Sequence, residues 1–384
     1  MIYFDNAATT FIKPRKVYEA VNNAMKMCAN AGRGGHKPSL YAAKKVYECR
    51  EEIAEMFHIS SPEKVVFTYN ATHALNLAIK SMLKDGGHAL VSSIEHNSVM
   101  RPLVALKEKG VTYSVVNTPI FDAERATCEF RNAIISEKPN CVILCHISNV
   151  FGYEMPIYRI DDICYENDVP MIIDASQSAG CTMIDATKLK STFFICMPGH
   201  KGLFGPQGTG ILLVCNDKSL YSIIQGGTGS FSSDLVQPEF LPDIFESGTL
   251  NVPGICGLCE GVKYVKNIGI NKIQNKNSFL LDCMINALNN IDGINVHTGV
   301  FHKHGVVSFS VEHMDSEEVC MRLAELDICV RGGLHCSPLA HQTAGTENAG
   351  LVRASFSFFN NKSEIDVFAL KIKKILCKKT GLFY

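Results

Sequence analysis

Three observations predict an α/β fold with a mostly parallel central sheet, helices on both of its faces, and a smaller α+β domain. Short β-branched and apolar runs alternate with helical patterns from about residue 60 to residue 260, as strands joined by crossover helices do. Many of these runs are apolar along their whole length, the pattern of strands covered on both faces. After about residue 255 the texture changes to long helical stretches followed by a few short strands. A length of 384 residues suits two closely packed units, since no low-complexity tract or Gly/Ser linker separates them. The expected division is a large domain over 15–255 and a smaller one built from 1–14 and 256–384.

Taken in order, "KVVFTYN", "HALVSSIEH", "VTYSVVN", "NCVILCHISN", "VPMIIDASQS", "STFFICMPG" and "GTGILLVCN" read as strands. "THALNLAIKSMLK" and "RIDDICYEND" read as helices between them. In the smaller part, "GICGLCEGVKYVKNIG" and "NSFLLDCMINALNNI" read as helices. They are followed by strand "GVVSFSVE", helix "SEEVCMRLAEL", strands "ICVRGG" and "LVRASFSF", and a last helix near "SEIDVFALKIKKIL".

Composition narrows the function. Lys plus Arg total 37 against 38 for Asp plus Glu, so no net field recruits nucleic acid or an anionic membrane. The start, "MIYFDNAATT", lacks a basic segment followed by an apolar one, and no run of about 18 apolar residues occurs. Sixteen cysteines, many inside apolar runs, suit a reducing compartment better than a disulfide framework. A cytoplasmic protein is expected, with neither nucleic acid nor membrane as partner.

In parallel sheets ligands collect at the carboxyl ends of the strands. The residues to inspect are therefore Asn70 to Thr72, Glu95 and His96, Asn149, Asp174 to Gln177, and His200 with Lys201. "MPGHKGLFGPQGTG" places Lys201 at the end of a buried strand; it is not a P-loop, because the Lys precedes most of the glycines. Desolvation there lowers a lysine's pKa and yields an amine able to form a Schiff base, although a loop lysine reaching solvent is an equal reading of this segment alone. Asp174 in "IIDASQSAG" decides between them, because a buried carboxylate needs a cationic or donor partner. Pyridoxal 5′-phosphate supplies one: its pyridinium nitrogen pairs with an Asp while its aldehyde condenses with a Lys. The competing reading of Asp174 is a helix N-cap. "YNATHALNLAIK" starts a helix at about Thr72 directly after a strand, presenting backbone N–H groups and a hydroxyl to an anion; an ordinary Thr N-cap is the competing reading. His96, in "SSIEHNSV", follows another strand end, where an imidazole can lie against a cofactor ring, although a lone His is more often a satisfied polar residue.

These segments resemble a known family. "YFDNAATT", "THALN", "EHNS", "SNVFG", "DASQSAG", "PGHKGLFGPQGTG", "FESGTLN", "VRGGLHC" and "VRASFSFFN" occur in order from residue 3 to residue 360. Together they are similar to the class V, fold-type I pyridoxal-phosphate enzymes, most closely the cysteine desulfurase and selenocysteine lyase branch. The resemblance implies that Lys201 carries the cofactor beside His200, that Asp174 pairs with the pyridinium, and that Gln177 donates to the ring's O3′. It implies that His96 stacks over the ring, that Asn149 lies near O3′ and the substrate carboxylate, and that Arg353 clamps that carboxylate. Ala71 and Thr72 fall at the phosphate position. Thr228 in "QGGTGS" resembles a phosphate-loop residue contributed by a neighbouring subunit, and Arg33 in "AGRGGH" another residue near that shared site, which implies a homodimer.

Cys336 has company no other cysteine has: His335 beside it, Arg331 five residues earlier, and a Gly-Gly pair and Pro338 that mark a loop. A thiol in such electropositive, accessible surroundings is a nucleophile, with His335 and Arg331 expected to favour its thiolate. The branch resembled carries Arg-x-Gly-x-His-Cys here, matched by Arg331, Gly333, His335 and Cys336. Departures are Leu334, where relatives usually carry a second His, Pro198 in place of a phosphate-binding Ser, and Ala71 in place of a second Thr. "CGLC" (Cys256, Cys259) has metal spacing but no second pair completing four ligands, so packing is expected and no metal. The basic end "KIKKILCKK" reads as a solvated amphipathic helix. The expected activity converts L-cysteine to L-alanine and leaves a persulfide on Cys336, with a sulfur-acceptor protein as a further partner. Alternatives are a selenocysteine lyase acting on L-selenocysteine, another class V aminotransferase or lyase, and a non-catalytic cysteine-rich metal or sulfur carrier.

Overall fold

The computed structural model describes residues 1–32, 34–218, 220–299 and 304–377. The chain opens with β1 (Ile2–Tyr3), α1 (Arg15–Met27) and α2 (Lys37–Phe57). An alternating region follows: β2 (Val65–Thr68), α3 (Ala71–Met82), β3 (Gly87–Ser92), α4 (Asn97–Leu106), β4 (Val111–Val116), α5 (Ala123–Glu137), β5 (Cys141–Cys145), α6 (Ile157–Glu166), β6 (Met171–Asp174), β7 (Thr192–Pro198) and β8 (Gly210–Val214). The remainder comprises α7 (Val252–Ile268), α8 (Ile270–Asn289), β9 (Ile294–Val296), β10 (Val306–Val311), α9 (Ser316–Ala324), β11 (Ile328–Cys329), α10 (Pro338–Ala344), β12 (Val352–Ser355) and α11 (Lys362–Cys377).

The seven apolar runs form one seven-stranded sheet in the order β2-β8-β7-β6-β5-β3-β4. Only β8 runs against the others in that sheet, pairing antiparallel with both β2 and β7. The unbroken apolar runs have a direct cause. Alternate residues enter two separate cores: Val65, Phe67, Leu90, Val142, Leu144, Ile173, Ile195 and Ile211 on one face, and Val66, Val91, Ile143, Ile172, Phe194 and Leu212 on the other. A strand buried on both faces has no polar position to spare.

Helix starts are set by side-chain caps: Asn70, Asp122 and Asn251 accept from the backbone N–H groups of His73, Arg125 and Gly254 at α3, α5 and α7. Helix α3 thus begins at Ala71, one residue earlier than expected, with Asn70 as its cap.

A third core joins α8, α9 and α11 to the antiparallel sheet β12-β10-β9, and Phe4 from the N-terminal segment is buried in it. That segment also pairs β1 with β11 in parallel. Buried residues of α7, by contrast, belong with those of α2 to the first core of the large sheet. Cys256 and Cys259 are among them, 6% and 3% exposed. The expected strand "ICVRGG" shrinks to Ile328–Cys329, because Arg331 leaves β1 and bridges antiparallel to Arg353 instead. No helix among the described residues is long and apolar enough to cross a membrane.

Candidate active site

Parallel register brings the carboxyl ends of β3, β5, β6 and β7 to one edge of the sheet, and Asp174 at the end of β6 lies level with Cys196 of β7. The residues that follow these ends surround a cavity of about 230 Å³. Ala71, Thr72, His96, Asn149, Asp174, Gln177, His200, Lys201, Arg331, Cys336 and Arg353 all line it, as does Pro198. Thr228 does not line the cavity of its own chain; its hydroxyl accepts from the Ser230 N–H. Arg33 lies outside the described residues.

Asp174 is 4% exposed. One of its oxygens accepts from the N–H and the hydroxyl of Ser176, which fixes the carboxylate plane. The other has no protein donor among the described residues and borders the cavity. Residue 174 ends a strand and caps no helix. Near it, burial lowers the Lys201 pKa to about 8, with Arg353 and Arg331 pushing the same way and Asp174 opposing. Backbone contact holds the two loops together. A methyl on Gly180 would lie 2.3 Å from the Gly202 carbonyl oxygen, and one on Gly202 would lie 2.3 Å from that of Ala179. Only glycine on both sides permits this approach.

The N-terminal segment "NAATT" covers the same loops. Thr10 donates its N–H to the His200 carbonyl, the His200 ring meets the Thr9 hydroxyl at 3.0 Å, and Gln177 donates its amide to the Ala7 carbonyl at 3.1 Å. Burial drops the His200 imidazole to about 4, so it is neutral near pH 7.

At the opposite wall, His96 caps α4: its Nδ1 accepts from the Ser98 N–H at 3.0 Å, which leaves the proton of the neutral ring on Nε2. Burial lowers its pKa to about 4. The Ser98 hydroxyl sits 2.8 Å from that Nδ1 and 2.9 Å from the Thr72 hydroxyl. Ser98 lines the cavity too and was not singled out in the sequence. It supplies a hydroxyl beside Thr72 where Pro198 has none. The signal was its place two residues after His96, at the start of a helix.

Arg353 is 2% exposed on β12. It donates to Asp5 at 2.8 Å and to the Asn149 carbonyl at 3.1 Å, while its Nε–H is buried without a partner. Asp5 is a second residue that sequence reasoning missed; only its place in "YFDNAATT" marked it.

Cys336 is exposed in a loop whose shape is unusual. His335 and Cys336 both take positive φ, 51° and 58°, a left-handed geometry that costs roughly 1–2 kcal/mol per non-glycine residue. Hydrogen bonds that hold it include Ser337 N–H to the Leu334 carbonyl at 2.9 Å, Asn97 N–H to the Cys336 carbonyl at 2.8 Å, and the Asn149 amide to the His335 carbonyl at 2.8 Å. The expectation for His335 needs correction. Its ring is turned inward, 4% exposed, against the Leu351 carbonyl and His341. Burial and the nearby Arg353 hold its pKa far below the usual histidine range. It is a neutral prop of the loop, and Arg331 and Arg353 border the same cavity as Cys336. Leu334 is 39% exposed beside it.

The chain matches the family model described as aminotransferase class-V over residues 2–368. A protein of Methanothermobacter thermautotrophicus named probable cysteine desulfurase is 33% identical over 97% of this chain and 94% of its own length. One of Pyrococcus abyssi with the same name is 31% identical over 96% and 92%. Among solved structures, the apo cysteine desulfurase of Thermococcus onnurineus NA1 superposes with a TM-score of 0.91 at 27% identity, covering 98% of this chain and 95% of that one. The chain belongs to the aminotransferase class-V family, in company with relatives named cysteine desulfurases.

Proposed function

We propose that the protein is a pyridoxal 5′-phosphate-dependent cysteine desulfurase that converts L-cysteine to L-alanine and leaves the sulfur as a persulfide on Cys336. One observation carries this reading: a buried amine, a buried carboxylate with an open acceptor and an exposed thiol on a fixed loop border a single cavity. Pyridoxal phosphate fits these groups. The open oxygen of Asp174 matches a pyridinium N–H, the Lys201 amine matches an aldehyde, and the first N–H groups of α3 with the Thr72 and Ser98 hydroxyls match a phosphate. When bound, the cofactor supplies an electron sink for negative charge at the substrate's Cα.

The chain's own residues do the rest. Arg353, which borders the cavity, grips the substrate carboxylate and so fixes the Cα–H bond for removal. Lys201, lowered to about 8, takes that proton as a free amine and returns one to the carbon skeleton. Cys336 attacks the substrate sulfur as a thiolate. The S–S bond forms as the Cβ–S bond breaks, the pair of electrons from that bond stays with the carbon skeleton, and protonation there yields alanine.

The proposed assembly is a homodimer in which a second copy contributes Thr228 and Arg33. Exposed apolar side chains at Tyr18, Met25 and Met27 on α1, and at Phe231, Leu235 and Val236, favour such cover. The exposed Cys336 leaves its persulfide within reach of an acceptor protein, and fifteen described cysteines that are all free suit the cytoplasm.

The test is spectroscopic and catalytic. Purified protein given pyridoxal phosphate is expected to absorb in the visible and to form alanine from L-cysteine with reductant. Lys201→Ala is expected to lose the absorbance and essentially all alanine formation, at least a thousandfold. Wild-type protein with no absorbance after cofactor addition would overturn the reading.

A further inference from the structure

Asn149 spends its carboxamide on the thiol loop. Its amide donates to the His335 carbonyl at 2.8 Å, and its oxygen accepts from the Ser337 hydroxyl at 2.7 Å. Its backbone carbonyl meanwhile accepts from Arg353 at 3.1 Å. Cys336 therefore sits between two residues that are both pinned to one side chain, and that side chain borders the cavity.

Ser337 is unusual in what it forgoes. It is the N-cap of α10, where a serine hydroxyl normally accepts from a backbone N–H of the first turn. Here it makes no such bond. It is fully buried, 0% exposed, and turns its proton to Asn149 instead. The loop it closes contains two consecutive left-handed non-glycine residues. Such a shape persists only where its surroundings over-determine it. With the hydroxyl gone, the Asn149 oxygen is left buried without its donor and one of the loop's restraints is released.

We infer that Ser337 is a positioning residue for Cys336, acting through Asn149: it fixes the nucleophilic thiol over the cavity and ties it to the side chain that borders the substrate. This rests on the desulfurase reading above. The second amide proton of Asn149 remains available to the cavity, so one side chain registers both the occupant and the thiol. Ser337 touches neither substrate nor cofactor.

The experiment is a double-mutant cycle on the holoenzyme, with Ser337→Ala, Asn149→Ala and the pair, reading kcat and KM for alanine formation together with the visible absorbance. S337A is expected to keep the absorbance and the KM for L-cysteine while kcat falls about tenfold, the size of one buried hydrogen bond lost with its acceptor stranded. Added to N149A, it is expected to cost less than twofold more, because the partner is already absent. Ser337→Thr, which keeps the hydroxyl, is expected to recover most of kcat. An S337A kcat within twofold of wild type overturns the inference, as does a tenfold loss that persists in the N149A background. A rise in KM with kcat unchanged also overturns it, since Ser337 would then position Asn149 for substrate rather than Cys336. Loss of the absorbance in S337A, or failure of S337T to recover kcat, marks a merely structural role and overturns it too. Wild-type protein that forms no alanine defeats the desulfurase reading itself, independently of these comparisons.

Discussion

Glu95, one residue before His96, is fully buried in the turn after β3. One of its oxygens accepts from the Cys145 N–H at 2.8 Å and from the Ser92 hydroxyl, which ties the ends of β3 and β5 together. Burial raises its pKa from 4.5 to about 8, so the carboxyl is mostly protonated near pH 7. A folded-state pKa above the unfolded value means that the native state binds the proton more tightly. The stability so contributed is full below about pH 4.5 and is lost as pH rises through about 8. Glu95→Gln keeps an acceptor for both bonds and removes the charge. Thermal melts of E95Q and wild type are expected to agree at pH 5 and to diverge by several degrees in favour of E95Q at pH 8.5; parallel melts at both would contradict this. Neither this burial nor the inward turn of His335 was legible beforehand. A short motif states which residue types are neighbours in the chain, whereas pKa and orientation depend on what packs around them from residues far away.

At the level of elements, both-face burial made the strands legible. All seven apolar runs of the alternating region are strands of one sheet, and Thr72, His96, Asn149, Gln177 and Lys201 follow their ends. The reversal of β8 was not legible, because an apolar run has the same composition in either direction. Nor was the contact between the turn after β6 and the loop after β7, which pairs Gly180 with the loop of Gly202 across 22 positions of chain. Those loops adjoin Asp174 at the end of β6 and carry Lys201, so their spacing sets the distance between the two ends of the proposed cofactor site. Gly202→Ala places a methyl 2.3 Å from the Ala179 carbonyl oxygen, and the backbone on one side must move. The variant is expected to bind pyridoxal phosphate at least tenfold more weakly in an absorbance titration while retaining its far-UV spectrum. Binding within twofold of wild type would show that the loops yield at no cost to the site.

Across the whole molecule, segments far apart in the described chain meet at the site. The N-terminal segment sends Phe4 into the third core, pairs β1 with β11, and presents Asp5 to Arg353. An arginine buried this deeply needs its carboxylate partner, so Asp5 holds Arg353, the group proposed to grip substrate. The large sheet meanwhile contributes Asp174, Lys201, His96 and the start of α3, and the β11–α10 region contributes Cys336. Sulfur transfer requires all three parts to converge on one cavity, and its product should be found on one thiol among sixteen cysteines. The most direct measurement is mass spectrometry of peptides from protein exposed to L-cysteine without reductant and then alkylated. The Cys336 peptide is expected to gain the mass of one sulfur atom in wild type and none in Lys201→Ala. Alanine formation with no added sulfur on Cys336, or with the sulfur on another cysteine, would contradict the mechanism.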